Sequence, residues 1–265
     1  MTDRTGATAG MVSLRIDGAV AELGLDAGRL NLVTRALLRD LDAAIAALTG
    51  NPSIRCVILH GGPAVFCAGS DIREFSSLGA NASEDKILYE DHVLRKLAAL
   101  PCPTIAAIDG PALGGGFELA LACDLRVLAQ SGSVGLPESR LGGLAASGAV
   151  RLARLVGPAR AKEMLFTGMI LDSERALAWG LVNRVTAGGA LEEARGLAVE
   201  IAQRGPLSNR LAKTLVDMAL DLPVDAALSR GNAAQQMIFD GKDLKEGAAA
   251  FFAKREPVFG PGTAD

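Results

Sequence analysis

The segment Gly110–Asp124 combines three consecutive glycines with an acid at the start of an apolar helical run, as Gly-Pro-Ala-Leu-Gly-Gly-Gly-Phe-Glu-Leu-Ala-Leu-Ala-Cys-Asp. The start of a helix carries N–H donors without intrahelical acceptors and the positive end of the dipole, so it can hold an anion. A carboxylate beside such donors, here Glu118, suits reactions in which negative charge builds on an oxygen while a proton moves. Alternatively, the segment is a flexible loop before a buried helix.

A second glycine-bearing segment is Phe66–Ile72, with sequence Phe-Cys-Ala-Gly-Ser-Asp-Ile. It follows the β-rich run Arg55–His60 and precedes a short helical run, so it can present backbone N–H groups at the carboxyl end of a strand. Ligands bind at such ends in open α/β folds. Ser70 is not surrounded by a Gly-x-Ser-x-Gly elbow, and neither histidine is placed to activate it. Its N–H is therefore a better candidate for chemistry than its hydroxyl.

A third segment, Val134–Glu138, ends a predicted strand at a proline and places an acid directly after it. Alone, Glu138 is typical of a solvated loop acid, or of an acid facing the positive end of a helix. Beside Glu118 it supplies the other half of a carboxylate pair. Two facing carboxyl groups can divide acid and base roles if one raises the pKa of the other.

Composition excludes several classes of protein. The chain has 265 residues, 49% of them hydrophobic, and a net charge of −3, which permits one large domain or a domain with a subdomain. Acids and bases are interspersed, so no nucleic-acid-binding face or polybasic membrane patch is expected. Charges or glycines interrupt every apolar run, and no transmembrane span is predicted.

Cysteine and histidine usage indicates a reduced, cytoplasmic protein without a metal site. Two histidines and no Cys-x-x-Cys or His-Glu-x-x-His motif are present. The four cysteines lie far apart inside apolar stretches and are predicted to be reduced core residues, at Cys56, Cys67, Cys102 and Cys123. The first ten residues lack an apolar signal core and are predicted to form a loose tail.

The hydrophobic pattern predicts an α/β fold. A hairpin is expected around Asp17-Gly18, and strands then alternate with helices, which favours parallel βαβ units. From Val150 onward the pattern is nearly all helical, with a short strand at Val182–Val185. We therefore divide the chain into a tail (1–10), an α/β core (11–204) and a helical C-terminal region (205–265). The apolar faces of this last region must cover either the core or a neighbouring subunit.

Several segments together resemble the enoyl-CoA hydratase/isomerase (crotonase) superfamily, in that family's order and spacing from about residue 11 to 260. These segments are Leu30-Asn31, Phe66–Ile72, Gly110–Asp124, Pro137-Glu138, Trp179–Asn183 and Glu246–Phe259. The resemblance implies a spiral of ββα turns, with a helical C-terminal region that assembles homotrimers or dimers of trimers. It also implies an acyl-CoA substrate, with coenzyme A as part of that substrate and no separate cofactor.

The resemblance further assigns roles to individual residues. The catalytic glutamates of the family's hydratases fall on Glu118 and Glu138, and the two N–H groups of its oxyanion hole fall on Ser70 and Gly115. The residues that match its CoA-binding positions are Ala68, Ser70, Asp71, Ile72 and Lys254. The implied reaction is syn hydration of a 2-enoyl-CoA to a 3-hydroxyacyl-CoA, in which two preorganised donors stabilise an enolate-like oxygen.

The stretch Leu141–Val150 departs from the family pattern, since Ala145 stands where a proline is expected. This loop walls the acyl pocket in the family, so the acyl chain that is accepted stays open. Isomerisation, decarboxylation and thioester hydrolysis reuse the same oxyanion hole and are alternatives to hydration. A non-catalytic CoA-binding or scaffolding protein is a further alternative, because a fold does not fix a function.

Overall fold

A computed structural model describes residues 10–75, 78–79 and 81–260, which form a mixed α/β structure. The predicted tail lies almost wholly outside the described residues. The strands are β1 (Val12–Asp17), β2 (Val20–Leu25), β3 (Cys56–His60), β4 (Thr104–Ile108), β5 (Pro111–Leu113), β6 (Leu125–Ala129), β7 (Ser133–Gly135), β8 (Ile170–Asp172) and β9 (Arg184–Thr186).

The helices run through the same part of the chain, and two are not α-helical. The α-helices are α1 (Arg35–Thr49), α2 (Ile72–Phe75), α3 (Leu88–Ala98), α4 (Gly115–Leu121), α5 (Ala146–Val156), α6 (Pro158–Thr167), α7 (Ser173–Ala178), α8 (Ala190–Ala202), α9 (Pro206–Met218), α10 (Val224–Asp240) and α11 (Asp243–Ala253). A π-helical turn, Ser83–Ile87, leads into α3, and a 3-10 helix covers Glu138–Leu141.

A six-stranded sheet with the order β1-β2-β3-β4-β6-β9 forms the centre of the molecule. The hairpin β1–β2 is antiparallel and the other pairs are parallel, as the sequence predicts. A smaller, three-stranded sheet has the order β5-β7-β8. The sequence pattern does not indicate the short strands β5 and β8.

The large sheet is covered on both faces, which explains why its central strands are almost wholly apolar. Val57 and Leu59 of β3 point into the larger core cluster, which includes the apolar faces of α1 and α3. Cys56 and Ile58 point the other way, into a cluster with α8. Thr34 caps α1, its hydroxyl accepting the N–H of Leu37 at 3.1 Å.

The three C-terminal helices bury little of their apolar surface within one chain. No side chain of α9 is buried, and α10 and α11 bury one residue each, Ala234 and Ala250. Phe251 and Phe252 are 78% and 83% exposed. No helix in the described ranges has both the length and the apolarity to cross a membrane.

Candidate active site

The segment that contains Ser70 is held by a parallel bridge to Val33. The N–H of Val33 donates to the carbonyl of Gly69 at 2.9 Å, and the N–H of Asp71 donates to the carbonyl of Val33 at 3.1 Å. These two bonds lie on either side of Ser70 and both face Val33, so the N–H of Ser70 points away from Val33. The cavity lies on that side, and Ser70 lines it.

The N-terminus of α4 lies directly against this segment. Gly115 is the first residue of α4, so its N–H has no acceptor within the helix. The N–H of Gly114 is used, since it donates to Gly135 at 2.9 Å. A Cβ added to Gly115 would lie 3.6 Å from the nitrogen of Ser70. Within the described residues neither N–H, of Ser70 or of Gly115, has an acceptor, so the two predicted donors lie side by side at one cavity.

The backbone angles of two glycines allow the N-terminus of α4 to lie this close to the segment that contains Ser70. Gly114 has φ 52° and ψ −131°, and Gly69 has φ 113°, conformations that side chains with a Cβ rarely adopt. The glycines of both motifs are therefore required by the backbone path, not only by space for a ligand.

Asn31 ties the chain before α1 to the segment that contains Ser70. It is buried and has φ 47°. Its side-chain oxygen accepts the N–H of Ala27 at 2.9 Å, and its amide donates to the carbonyl of Phe66 at 3.2 Å. One residue earlier, the carbonyl of Leu30 accepts the N–H of Ala68 at 2.9 Å. Asn31 thus positions the backbone that carries one of the two donors.

Replacing Asn31 with alanine is expected to destabilise the protein by about 2–3 kcal/mol, because buried backbone groups lose their partners. Urea unfolding followed by circular dichroism measures this change. Asn51→Ala is the matched control: its side chain accepts one N–H, from Ser53, at an exposed turn. We expect that control to cost about 0.5 kcal/mol or less. Equal losses in the two variants would contradict the role given to Asn31.

Glu118 lies in the first turn of α4 and is 8% exposed. Its Oε1 accepts the N–H of Gly148 at 2.5 Å. Burial raises the pKa of Glu118 to about 7, an effect that neighbouring carboxyl groups strengthen and the Gly148 N–H and Arg151 oppose. The sequence predicts a helix from Val150, but α5 begins at Ala146, and this earlier start brings Gly148 to Glu118.

Glu138 is the first residue of the 3-10 helix and faces the same cavity. Its Oε1 lies 3.1 Å from the position that a Cβ on Gly114 would take, next to the two N–H donors. Its Oε2 is buried and has no hydrogen-bond partner in the described part of the chain. Burial raises the pKa of this carboxyl group, although its own backbone N–H opposes the shift.

One cavity of about 1740 Å³ joins these groups. Its walls include apolar side chains of α3, α5 and α9, among them Leu94, Val150 and Val216. An ion pair holds helix α9 beside the cavity, with Lys213 Nζ 2.8 Å from Asp124 Oδ2. The divergent loop also reaches the cavity through Leu141 and Leu144, which are 75% and 78% exposed. This space can take an apolar chain beside two carboxyl groups and two N–H donors.

The residues expected to bind CoA are not all at this cavity. Ala68, Ser70 and Ile72 line it. The carboxylate of Asp71 is engaged elsewhere, with the Arg73 guanidinium 2.7 Å from Oδ2, and these hydrogen bonds lower its pKa to about 2. Lys254 does not line the cavity; it is exposed at the C-terminal end of α11, with φ 51°. The roles of these residues in CoA binding remain predictions.

Glu90 and Lys86, two buried charged residues that line the cavity, are not among the site residues predicted from the sequence. Glu90 is 9% and Lys86 1% exposed, and both line the cavity. Lys86 pairs with Glu74 at 3.5 Å. The sequence held a signal for both, because Lys86 and Glu90 recur at helical spacing with buried Val93 and Leu97. Charges on the apolar face of a helix indicate a functional or paired group.

Comparison with known proteins identifies the class of protein that this fold and site define. Residues 15–262 match the enoyl-CoA hydratase/isomerase family, so the chain belongs to that family. It is 35% identical, over 96% of its length and 83% of the relative, to a probable mitochondrial enoyl-CoA hydratase 2 of Arabidopsis thaliana. It is 37% identical to the mitochondrial methylglutaconyl-CoA hydratase of Rattus norvegicus, covering 86% of this chain and 75% of that one.

A solved structure shares the fold along nearly the whole chain. The crystal structure of an enoyl-CoA hydratase from Bacillus anthracis superposes with a TM-score of 0.91 at 34% identity, over 96% of this chain and 100% of that one. The crotonase fold and the hydratase/isomerase class of enzyme, both expected from the sequence, are thereby confirmed.

Proposed function

We propose that the protein adds water in the syn sense across the double bond of a 2-enoyl-CoA, giving a 3-hydroxyacyl-CoA. The observation that carries this proposal is that Glu118 of α4 and Glu138 of the 3-10 helix line one cavity with two backbone N–H groups that have no acceptor among the described residues. Relatives described as enoyl-CoA hydratases support the acyl-CoA substrate.

The N–H groups of Ser70 and Gly115 are proposed to bind the thioester oxygen. Addition of a nucleophile at C3 moves charge through C2 onto this oxygen as an enolate. Preorganised donors bind the charged oxygen more strongly than the neutral carbonyl, by about 3 kcal/mol for each donor. Because the donors are backbone groups, activity depends on the path of the chain at residues 69–70 and 114–115 more than on side-chain identity.

The two glutamates are proposed to divide the proton transfers. Glu118, whose charged form is favoured by the Gly148 N–H, orients a water molecule and takes its proton as the oxygen attacks C3. Glu138 lies beside the oxyanion site and therefore nearer C2, to which it gives its proton. One proton then passes from Glu118 to Glu138 and restores the starting state.

This division predicts how the reaction depends on pH. Glu118 must be ionised to accept a proton, and its pKa is about 7, so kcat/KM should fall as pH falls below 7. Rates of hydration between pH 5.5 and 8 measure this dependence. Arg151→Met removes a cation that lowers the pKa of Glu118, so the midpoint should move to higher pH. A flat acid limb in the wild type would exclude Glu118 as the base.

The reaction itself is tested with two substrates and a mass spectrometer. Hydration of crotonyl-CoA removes the enoyl absorbance and adds the mass of one water molecule. Isomerisation of a 3-enoyl-CoA creates that absorbance without a change of mass. Hydration of the 2-enoyl substrate by the purified protein would support the proposal. Conversion of the 3-enoyl substrate alone would show an isomerase instead.

We also propose that the chain assembles as a homotrimer or a dimer of trimers through its C-terminal helices. The exposed Phe251 and Phe252, in contact as an edge-to-face pair with ring centroids 5.7 Å apart, support this assignment. Large apolar side chains that are exposed together are typical of a surface that meets a partner. Light scattering after size exclusion measures the mass, and a monomer at micromolar concentration would contradict the proposal.

A further inference from the structure

Glu90 of α3 is a further buried carboxyl group at the cavity, and hydration as proposed above gives it no role. The residue is 9% exposed and lines the cavity. Its Oε1 lies 3.3 Å from the position that a Cβ on Gly115 would take. The Ser70 hydroxyl lies 2.8 Å from that same position. The Glu90 carboxyl group therefore borders the two N–H donors.

The carboxyl group of Glu90 has no partner in the described part of the chain. It accepts no hydrogen bond and forms no ion pair there. Lys86, one helical turn earlier, is engaged with Glu74 and donates to the carbonyl of Val33 at 3.4 Å. A buried carboxylate without a partner is costly, so the surroundings favour the neutral acid.

The acids on the neighbouring elements also favour the neutral form of Glu90. Burial is the largest cause of a raised pKa at Glu90. Glu138 of the 3-10 helix and Glu74 of α2 raise this pKa further, while Lys86 opposes them. Glu118 of α4 is close enough for Glu90 to raise its pKa in turn. Of these four neighbouring groups in the described part of the chain, three are acids, and the cation, Lys86, is paired with Glu74.

A neutral carboxylic acid carries an O–H that needs an acceptor. The described residues supply none, and the adjoining space is where the thioester oxygen would lie. Ionised, Glu90 would repel the negative charge that develops on this oxygen. Neutral, it would add a donor, as carboxylic acids held in apolar sites do in other enzymes.

We propose that Glu90, as a neutral carboxylic acid, donates a third hydrogen bond to the thioester oxygen, beside the N–H groups of Ser70 and Gly115. The inference rests on the proposed function, because that function places the thioester oxygen at these donors. Glu90 would then be a catalytic residue that contacts the substrate, and its O–H would strengthen as a donor when the oxygen becomes negative.

Acetoacetyl-CoA tests this proposal without requiring hydration. It is a 1,3-dicarbonyl thioester with no double bond to hydrate, and loss of its central proton gives an enolate with its own near-ultraviolet band. Titrating that band on the protein gives an apparent pKa for the bound ligand. Glu90→Gln keeps a neutral donor and should leave this apparent pKa close to the wild-type value. Glu90→Leu removes the donor and should raise it by about one unit, which is tenfold less enolate at a fixed pH.

Controls separate the donor from simple packing. Glu90→Ala is a second variant without a donor, for use if the leucine variant fails to fold, and the same rise is expected. Glu84→Gln changes an exposed acid of the π-helical turn before α3 that does not line the cavity, and should have no effect. An unchanged apparent pKa in the leucine or alanine variant would overturn the proposal. So would a Glu90→Gln variant that behaves like them.

The same titration distinguishes failure of this inference from failure of the proposed function. If the enolate band depends on Glu90 but the protein does not hydrate crotonyl-CoA, the proposed hydratase activity is contradicted and the third donor is supported. If the protein hydrates crotonyl-CoA but the enolate band does not depend on Glu90, the hydratase activity is supported and the third donor is contradicted. A wild-type protein that binds acetoacetyl-CoA without any enolate band would overturn both the oxyanion site and the role of Glu90.

Discussion

Replacing Glu138 with glutamine is expected to lower kcat for crotonyl-CoA hydration by about 10²–10⁴-fold, the usual contribution of a positioned acid or base. The amide keeps the shape of the side chain but cannot give a proton to C2. Glu118→Gln should cause a loss of the same order, because the amide cannot take a proton from water. The measurement is the initial rate of loss of the enoyl absorbance with each purified variant.

Stability measurements separate this effect from unfolding. Oε2 of Glu138 is buried and has no hydrogen-bond partner among the described residues, so a neutral amide at this position should not lower the melting temperature. Glu174→Gln, an exposed acid in the first turn of α7, is the matched control and should keep wild-type activity. A Glu138→Gln variant that keeps activity within about threefold of wild type would exclude Glu138 as a catalytic acid.

Replacing Gly116 with alanine is expected to abolish activity and to destabilise the fold by about 3 kcal/mol or more. A Cβ at this position would lie 2.3 Å from the carbonyl oxygen of Cys67 and 2.7 Å from its sulfur. The carbonyl oxygen belongs to the backbone and cannot rotate away as a side chain could, so α4 must move away from the segment 66–70. That movement separates the N–H of Gly115 from the N–H of Ser70.

A second glycine in a helix provides the control. Gly196 lies in α8, and outside its own helix backbone no atom of the described residues lies within 4 Å of an added Cβ. Gly196→Ala should stabilise the protein by about 0.5–1 kcal/mol, because alanine is the better helix former. Denaturant unfolding and crotonyl-CoA turnover are measured for both variants. Equal stability of the two variants would show that the contact of Gly116 with Cys67 does not hold α4 in place.

Much of the fold was predictable because its strands and helices are long and strongly periodic. The apolar run before His60 predicts β3, and the helical spacing of Leu37, Leu41 and Ile45 predicts α1. The site residues could be predicted for a different reason, because the glycines and acids of each motif lie close together in the sequence. Gly115 with Glu118, and Gly69 with Ser70, each sit within one short motif that marks a strand end or a helix start.

What sequence patterns could not supply is the relation between distant segments. The start of α5 at Ala146 depends on packing against α4, which lets the Gly148 N–H meet Glu118 thirty residues away. No local propensity distinguishes that start from one at Val150. Glu90 is a comparable case: a helical period places it on the buried face, but only the fold shows that this face borders Gly115.

A crystal structure of the Glu138→Gln variant with crotonyl-CoA tests the central claim most directly, because the slow variant should retain its substrate. We predict a thioester oxygen about 3 Å from the backbone nitrogens of both Ser70 and Gly115, with C3 of the acyl group facing Glu118. A bound acyl group whose oxygen lies away from both nitrogens, or whose C3 is remote from Glu118, would contradict the account.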